Sequence, residues 1–203
     1  MLIDTHTHLL KKNNYVNKIN LKTQIVIGNS FNNNLDYIKG WEKRYGGIYK
    51  KVTTFSIDKK GNIFQHFDDS FHSKIMGEES VDKNVISITI DNVGWLNKDL
   101  LKDRYIDWVG NIYKRRAKVI DKRWRGFRYW EPYTPKQFNS CIELVTYLCE
   151  KHNINKNCVG HNTYIKNIEE FNGVVYRSNY NKDFTDVSPA WNFKKFKNKI
   201  ELK

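Results

Sequence analysis

Two short apolar runs, largely β-branched, constrain this chain more than any other feature. Gln24–Ile27 reads QIVI and Val85–Ile90 reads VISITI. Neither has a helical period, and Gly28 closes the first, so both predict strands buried in a core. Buried strands need covering layers. Leu35–Tyr45 offers one, with Leu35, Ile38, Trp41 and Tyr45 at three- and four-residue spacing before the stop signal Gly46-Gly47. A second helix opens at Thr134-Pro135, with Thr at the N-cap, Pro at the first helical position and Gln137 completing a capping box. Its apolar stripe is Phe138, Cys141, Ile142, Val145, Leu148 and Cys149.

The remaining segments are less regular. Val52–Ile57 and Asn62–Phe67 flank Lys59-Lys60-Gly61 and predict a β-hairpin. Cys158–Gly160 predicts a short strand. Residues 1–22 are polar and rich in Asn and Lys, as in a leading arm. Residues 97–131 are irregular, dense in Trp, Tyr and Arg, and predict an insertion over one face. A further insertion is expected at 162–180, and the tail from Phe171 to Phe196 is expected to be loop-like. The order strand, helix, hairpin, strand, insertion, long helix, strand predicts an α/β fold: a mixed central β-sheet flanked by helices. At 203 residues, one domain spanning 1–203 is expected.

Composition narrows the function classes. Aromatic residues make up 14% of the chain, too many for a disordered tail. No apolar run is long enough to span a bilayer. The start, MLIDTHTHLLKK, lacks a basic stretch followed by an apolar one. The chain is therefore expected in the cytoplasm of the producing cell, and from there in a virion or at a cell wall. The three cysteines, Cys141, Cys149 and Cys158, predict buried reduced thiols rather than a disulfide framework. A net charge of +13 favours an anionic partner, with nucleic acid, cell-wall polymer and nucleotides all qualifying.

Two constellations carry metal-ligating side chains. Asp4-Thr5-His6-Thr7-His8 places two imidazoles two residues apart, on one face of a strand. This resembles the opening of TatD- and PHP-type metallohydrolases. Those are barrels of about 250 residues built from βα repeats, which this chain lacks. The second pair is His161, after a predicted strand, and Asp186, before a Pro-aromatic turn.

In order along the chain, QIVI, FSIDKKGNIFQHFD, NVISITIDNVGWL, EPYTPKQ, LVTYLCEKHNI, VGHN and TDVSPAW resemble the type 2 N-acetylmuramoyl-L-alanine amidases. That family is related to the peptidoglycan recognition proteins and common among phage lysins. The resemblance runs from about Lys22 to Phe196. It implies a mixed sheet with helices on both sides and a shallow groove. In active relatives the groove holds one zinc, bound by two His and one Asp or Cys. A water on the metal attacks the amide bond between muramic acid and L-alanine, assisted by a Tyr or Glu and a cation.

Carried onto this chain, the resemblance puts the first metal histidine at Gly28, which offers no ligand. The second falls on His161 and the third on Asp186. An alternative register puts Arg177 at the second position, nine residues before Asp186; His161 is preferred because it directly follows the helix–strand pair. The assisting cation falls near Phe184 and the assisting Tyr near Thr53. With two ligands the zinc site is predicted to be weak or absent. His72 is the best rescuing ligand and a third candidate catalytic residue, ahead of His66, Asn29, His6 and His8.

The stretch RWRGFRYWEPY interleaves stacking rings with guanidinium groups, a combination suited to sugars, nucleobases and phosphates. The candidate ligand-binding residues are Arg123, Trp124, Arg125, Arg128, Trp130, Tyr176, Arg177 and Asn179, with Ile112–Arg116 (IYKRR) adding more of the same chemistry. The expected function is an amidase-like protein with a degenerate zinc site, a pseudoenzyme that binds a glycan-peptide or an anionic nucleotide, as a phage protein sequestering a host signal would. The alternative is an active, zinc-dependent phage endolysin or tail lysin.

Overall fold

The computed structural model describes residues 1–32, 35–114 and 118–202. Among the described residues, ten strands and five α-helices follow in chain order: β1 (Ile3–Asp4), β2 (Gln24–Asn29), α1 (Tyr37–Trp41), β3 (Phe55–Ile57), β4 (Ile63–Gln65), α2 (Glu79–Asp82), β5 (Val85–Ile90), β6 (Trp95–Asp99), β7 (Arg104–Ile106), β8 (Ile120–Trp124), β9 (Phe127–Trp130), α3 (Pro135–His152), β10 (Gly173–Tyr176), α4 (Arg177–Tyr180) and α5 (Phe193–Glu201). Six strands form a mixed sheet in the order β1-β4-β3-β5-β2-β10. Within it β3, β5, β2 and β10 run parallel, and β4 returns antiparallel beside β3. The mixed α/β architecture follows the sequence expectation.

Strand alternation decides which residues meet which layer. On one face, Ile25 and Ile27 of β2, Ile86, Ile88 and Ile90 of β5, and Val174 and Tyr176 of β10 pack with Cys141, Val145 and Leu148 of α3 and Phe196 and Ile200 of α5. The residues between them, Val26, Val85 and Val175, point to the other face and pack with Val159 and Ile168. A pleated strand allows no other arrangement, because successive side chains point to opposite faces. Both faces are covered, so QIVI is apolar at Ile25, Val26 and Ile27 alike, whereas VISITI alternates, with Ile86, Ile88 and Ile90 on the α3 face and buried Ser87 and Thr89 on the other. The capping box forms: the Gln137 N–H donates to Thr134 Oγ1 at 3.1 Å, and the Thr134 N–H donates to Gln137 Oε1 at 3.0 Å. Gln137 Nε2 also donates to the Asp91 carbonyl at 2.7 Å, pinning the start of α3 to the end of β5.

Several expectations are corrected. Residues 1–22 are not a free arm: Ile3 and Asp4 pair with β4, and Leu10 and Tyr15 are buried in a side cluster with Trp41, Val52 and Phe67. Residues 97–131 are not irregular, for β6 to β9 form a second, antiparallel sheet in the order β7-β6-β9-β8. Its aromatic and basic residues occupy both faces, which hides the period of two. Arg115 and Arg116 of the IYKRR stretch lie outside the described residues. Cys158 makes only an isolated bridge to Val174.

The 162–180 segment is no peripheral insertion, because it contains β10, paired with β2 from Gly173↔Gln24 to Tyr176↔Ile27. Gly173 makes the pairing feasible: its φ is 146°, and a Cβ there would lie 2.4 Å from the Asn157 carbonyl oxygen. The tail is likewise not loop-like, since it holds α4 and α5. The three cysteines are free and buried. Among the described residues no helix is long and apolar enough to cross a membrane.

His66 is fully buried beside β3. Its Nδ1 donates to the His8 carbonyl at 2.9 Å, so Nε2 is the acceptor, 2.7 Å from Ser56 Oγ. Burial pushes its pKa down from the usual 6.5 to about 4. Above the unfolded value both states are neutral. Below it the unfolded chain takes a proton that the folded chain excludes, so stability falls as pH drops from about 6.5 towards 4. Between pH 7 and pH 5 we expect His66 to account for a loss of about 2 kcal/mol. Urea unfolding of the natural chain and a His66→Gln variant at both pH values checks this; an equal loss in both means His66 is not the cause.

Candidate functional site

The parallel register brings two strand ends together. Ile27 pairs with Tyr176, so the next residues, Gly28 and Arg177, lie side by side. Both follow residues of the α3 face, so both point to the opposite face. The chain turns through α4 and returns, and the Ser178 N–H donates to the Asp186 carbonyl at 2.7 Å. This delivers the Asp186 carboxylate, 1% exposed, to the same point. There Oδ2 accepts from the Asn29 N–H at 2.9 Å and from an Arg177 terminal N–H at 3.2 Å.

Gly28 makes this packing fit. A Cβ at that position would stand 2.5 Å from Arg177 Cδ and 2.6 Å from Asp186 Oδ2. The Arg177 stem therefore occupies the room a side chain at position 28 would need. Its guanidinium carbon lies 4.5 Å from the centroid of the Phe184 ring, a cation–π contact. Arg177 Nε is buried, with no hydrogen-bond partner among the described residues.

Surrounding residues hold the pair in place. Arg125 sits in the tight turn between β8 and β9 and donates to the carbonyls of Ser178 and Asn181, at 3.0 and 2.7 Å, and of Phe184. The second sheet is thus fastened to the loop that carries Asp186. Tyr133 donates to Asn29 Oδ1 at 2.7 Å and accepts from the Ser188 N–H at 3.2 Å. Burial pushes its phenol well above the usual range, so it stays protonated. Neither Arg125's grip nor Tyr133 was assigned this role from the sequence. Tyr133 carried no signal beyond lying next to the helix cap.

The other candidates are dispersed. His161 is exposed beyond β10, where Nδ1 accepts from the Thr163 N–H at 3.3 Å. His72 is buried near the start of β5; Nε2 lies 2.8 Å from Glu79 Oε1 and Nδ1 2.9 Å from Asn20 Nδ2. His66 is held by Ser56 and His8, and the Asp4 carboxylate accepts from the backbone of His6 and Thr7. Tyr176 belongs to the main core, and buried Asn179 braces the chain by donating to the carbonyls of His161 and Thr163. Trp130 is fully buried, its Nε1 donating to the Lys122 carbonyl.

Arg123 is exposed, and Arg128 forms a two-pronged pair with Asp121. Trp124 is half-buried with Arg125 4.6 Å from its ring. Thr53 is buried and hydrogen-bonded to the Ser87 carbonyl. Of the sequence candidates, then, the structure gathers Gly28, Asn29, Arg177 and Asp186. The nine-residue spacing from Arg177 to Asp186 was the signal for that grouping.

The sequence model of the N-acetylmuramoyl-L-alanine amidase family matches residues 18–172. This chain belongs to that family. Among solved structures it is similar to the N-acetylmuramoyl-L-alanine amidase LysC from Clostridium intestinale URNW, with 15% identity and a TM-score of 0.56, covering 100% of this chain and 99% of that one. It is also similar to a mutant endolysin from Bacillus subtilis, with 15% identity and a TM-score of 0.55, covering 98% and 99% of the two chains. At that identity the likeness is one of fold. No curated protein sequence matches.

The amidase family is typically zinc-dependent, and a catalytic zinc takes three protein ligands and a water. The residues gathered here do not fit that ion. Gly28 has no donor atom, and a guanidinium has no lone pair to give. The Asp186 carboxylate oxygen that faces the site already accepts from Asn29 and Arg177. Among the described residues no three His, Cys, Asp or Glu side chains form a group that could hold a metal.

The geometry predicts a coupled response. Gly28→Ala is expected to destabilise the chain by about 1–3 kcal/mol, because the added methyl overlaps Arg177 and Asp186. Arg177→Ala alone is expected to cost about 3–5 kcal/mol by leaving a buried carboxylate unpaired. The double variant should be clearly less destabilised than the sum, by about 1 kcal/mol or more. Denaturant unfolding of the four proteins gives the coupling; strict additivity refutes the overlap.

Proposed function

We propose that this amidase-family chain binds peptidoglycan fragments without hydrolysing them, a guanidinium–carboxylate pair standing where its active relatives hold zinc. The reading rests on one observation: Arg177 fills the space over Gly28 and pairs with Asp186. Metal-assisted amide hydrolysis needs a water acidified by the ion. Arg177 is a fixed cation whose N–H groups polarise a carbonyl or hold an anionic group, but it activates no water. Asp186 spends its facing oxygen on Asn29 and Arg177, and Tyr133 keeps its proton, so neither serves as a free base.

Beside this point, Trp95 and Phe127 stack at 4.3 Å between ring centroids, with Trp124 and Trp130 next to them. Trp130 is buried beneath them, while the half-exposed rings of Trp95, Trp124 and Phe127 are of a kind that stacks on sugar rings, and Arg125 links them to the Asp186 loop. A muramoyl-peptide, part sugar and part peptide, suits that combination better than a free nucleotide.

Purified protein is expected to hold well under one zinc per chain, to bind a muramoyl-peptide by calorimetry and to release no stem peptides from cell walls with added zinc. Gly28→His combined with Arg177→His restores two imidazoles beside Asp186, and this variant is expected to take up one zinc per chain. Stoichiometric zinc and peptide release by the natural chain would instead establish an active amidase. Binding of cyclic or ADP-ribose-type nucleotides with none of muramoyl-peptides would overturn the ligand assignment.

A further inference from the structure

A second candidate binding surface lies at the other end of the sheet. An open trough of about 1020 Å³ is lined by the segment from Arg44 to Lys51 and by Lys74. That segment leads into the first residue of β3, whereas Asn29, Arg177 and Asp186 lie where the parallel strands end. None of the groove residues lines the trough.

Three features here work against stability and converge on one place. Tyr45 adopts a left-handed conformation, φ 51°, which a bulky side chain rarely takes. Tyr45 is 77% exposed and the nearby Ile48 63% exposed, apolar surface that folding has left in water. Four cations, Arg44, Lys50, Lys51 and Lys74, share the trough, and among the described residues none of them forms an ion pair within 4 Å. The rings are arranged as a platform. Tyr45 and Tyr49 stack with centroids 5.9 Å apart, and Arg44 lies 5.2 Å from the Tyr49 centroid. Flat rings flanked by a cluster of cations outside ion pairs suit a ligand with apolar ring faces and regularly placed anions.

We propose that this trough binds peptidoglycan glycan strands stripped of their stem peptides. Hydrolysis of the amide between the lactyl group of muramic acid and L-alanine leaves a free carboxylate on that sugar and a free amine on the peptide. A stripped strand is thus a chain of pyranose rings with a carboxylate on every second one, which supplies both the faces and the charges the trough lacks. A strand still carrying its peptides has lost those lactyl carboxylates to amide bonds. The inference rests on the peptidoglycan reading above and adds a substrate state, the product of amidases, at a separate site.

The test uses the full chain and soluble glycan strands released by an active amidase, with binding followed by calorimetry at low and high salt. We expect binding that weakens with salt, as for exposed charges. It should weaken by about tenfold or more in Tyr45→Gly and in Lys50→Glu/Lys51→Glu. Tyr45→Gly removes the ring at a backbone angle that glycine prefers, so its thermal midpoint should not fall and its lost affinity cannot be ascribed to unfolding. Unchanged affinity in both variants, no binding at all, or tighter binding of a single-stranded DNA oligonucleotide than of the strands overturns the proposal.

A muramoyl-peptide monomer, measured in parallel, reports the groove and should bind the trough variants as tightly as the natural chain. Strand binding without monomer binding supports the trough and overturns the groove reading alone.

Discussion

The Arg177–Asp186 pair is held against a residue that has no side chain, and the surrounding architecture follows from accommodating it. A buried carboxylate is tolerated only when charge and hydrogen bonds compensate it. Here the compensation comes from two separate parts of the chain, the Asn29 backbone at the end of β2 and the Arg177 guanidinium at the end of β10, which meet a carboxylate delivered by a third. The parallel register of β2 and β10 sets that geometry. Slipping β10 by one residue would turn Arg177 to the α3 face and leave Asp186 unpaired.

The second sheet is tied to this centre through Arg125, which reaches three carbonyls of the returning loop. Its aromatic cluster therefore sits at the edge of the groove rather than serving as a detached ornament. The family scaffold is kept, and in the function proposed above a cation built into the side-chain set takes the place of an ion that must be bound. A covalently attached charge cannot be lost to a chelator. It also cannot ionise a water.

Much of the main sheet was legible beforehand. QIVI, VISITI, the hairpin around Gly61 and the capped helix at Thr134 all carry strong local signals, and each forms where those signals lie. The failures have a common cause. β10 is four residues long, and its place beside β2 is fixed by contacts with residues some 150 positions away, through a glycine whose need is visible only once Asn157 packs on it. Missing β10 turned the segment around it into an insertion, and this favoured His161 over Arg177 as the partner of Asp186. His72 and His66 looked like ligands for the same reason. Their partners, Glu79 and Asn20 for His72 and Ser56 and the His8 carbonyl for His66, meet them only in the folded chain, and no motif spacing reveals the pairings.

The sequence by itself determined the layer architecture, the basic and aromatic character of the surface and the absence of a ligand atom at position 28, because these depend on local pattern and residue identity. Only the tertiary structure decided that an arginine fills the space that glycine leaves, that the tyrosine and lysines around position 45 share one trough, and that the aromatic insertion is a sheet. Those outcomes depend on strand register and loop return, and neither is encoded in any short window of the chain.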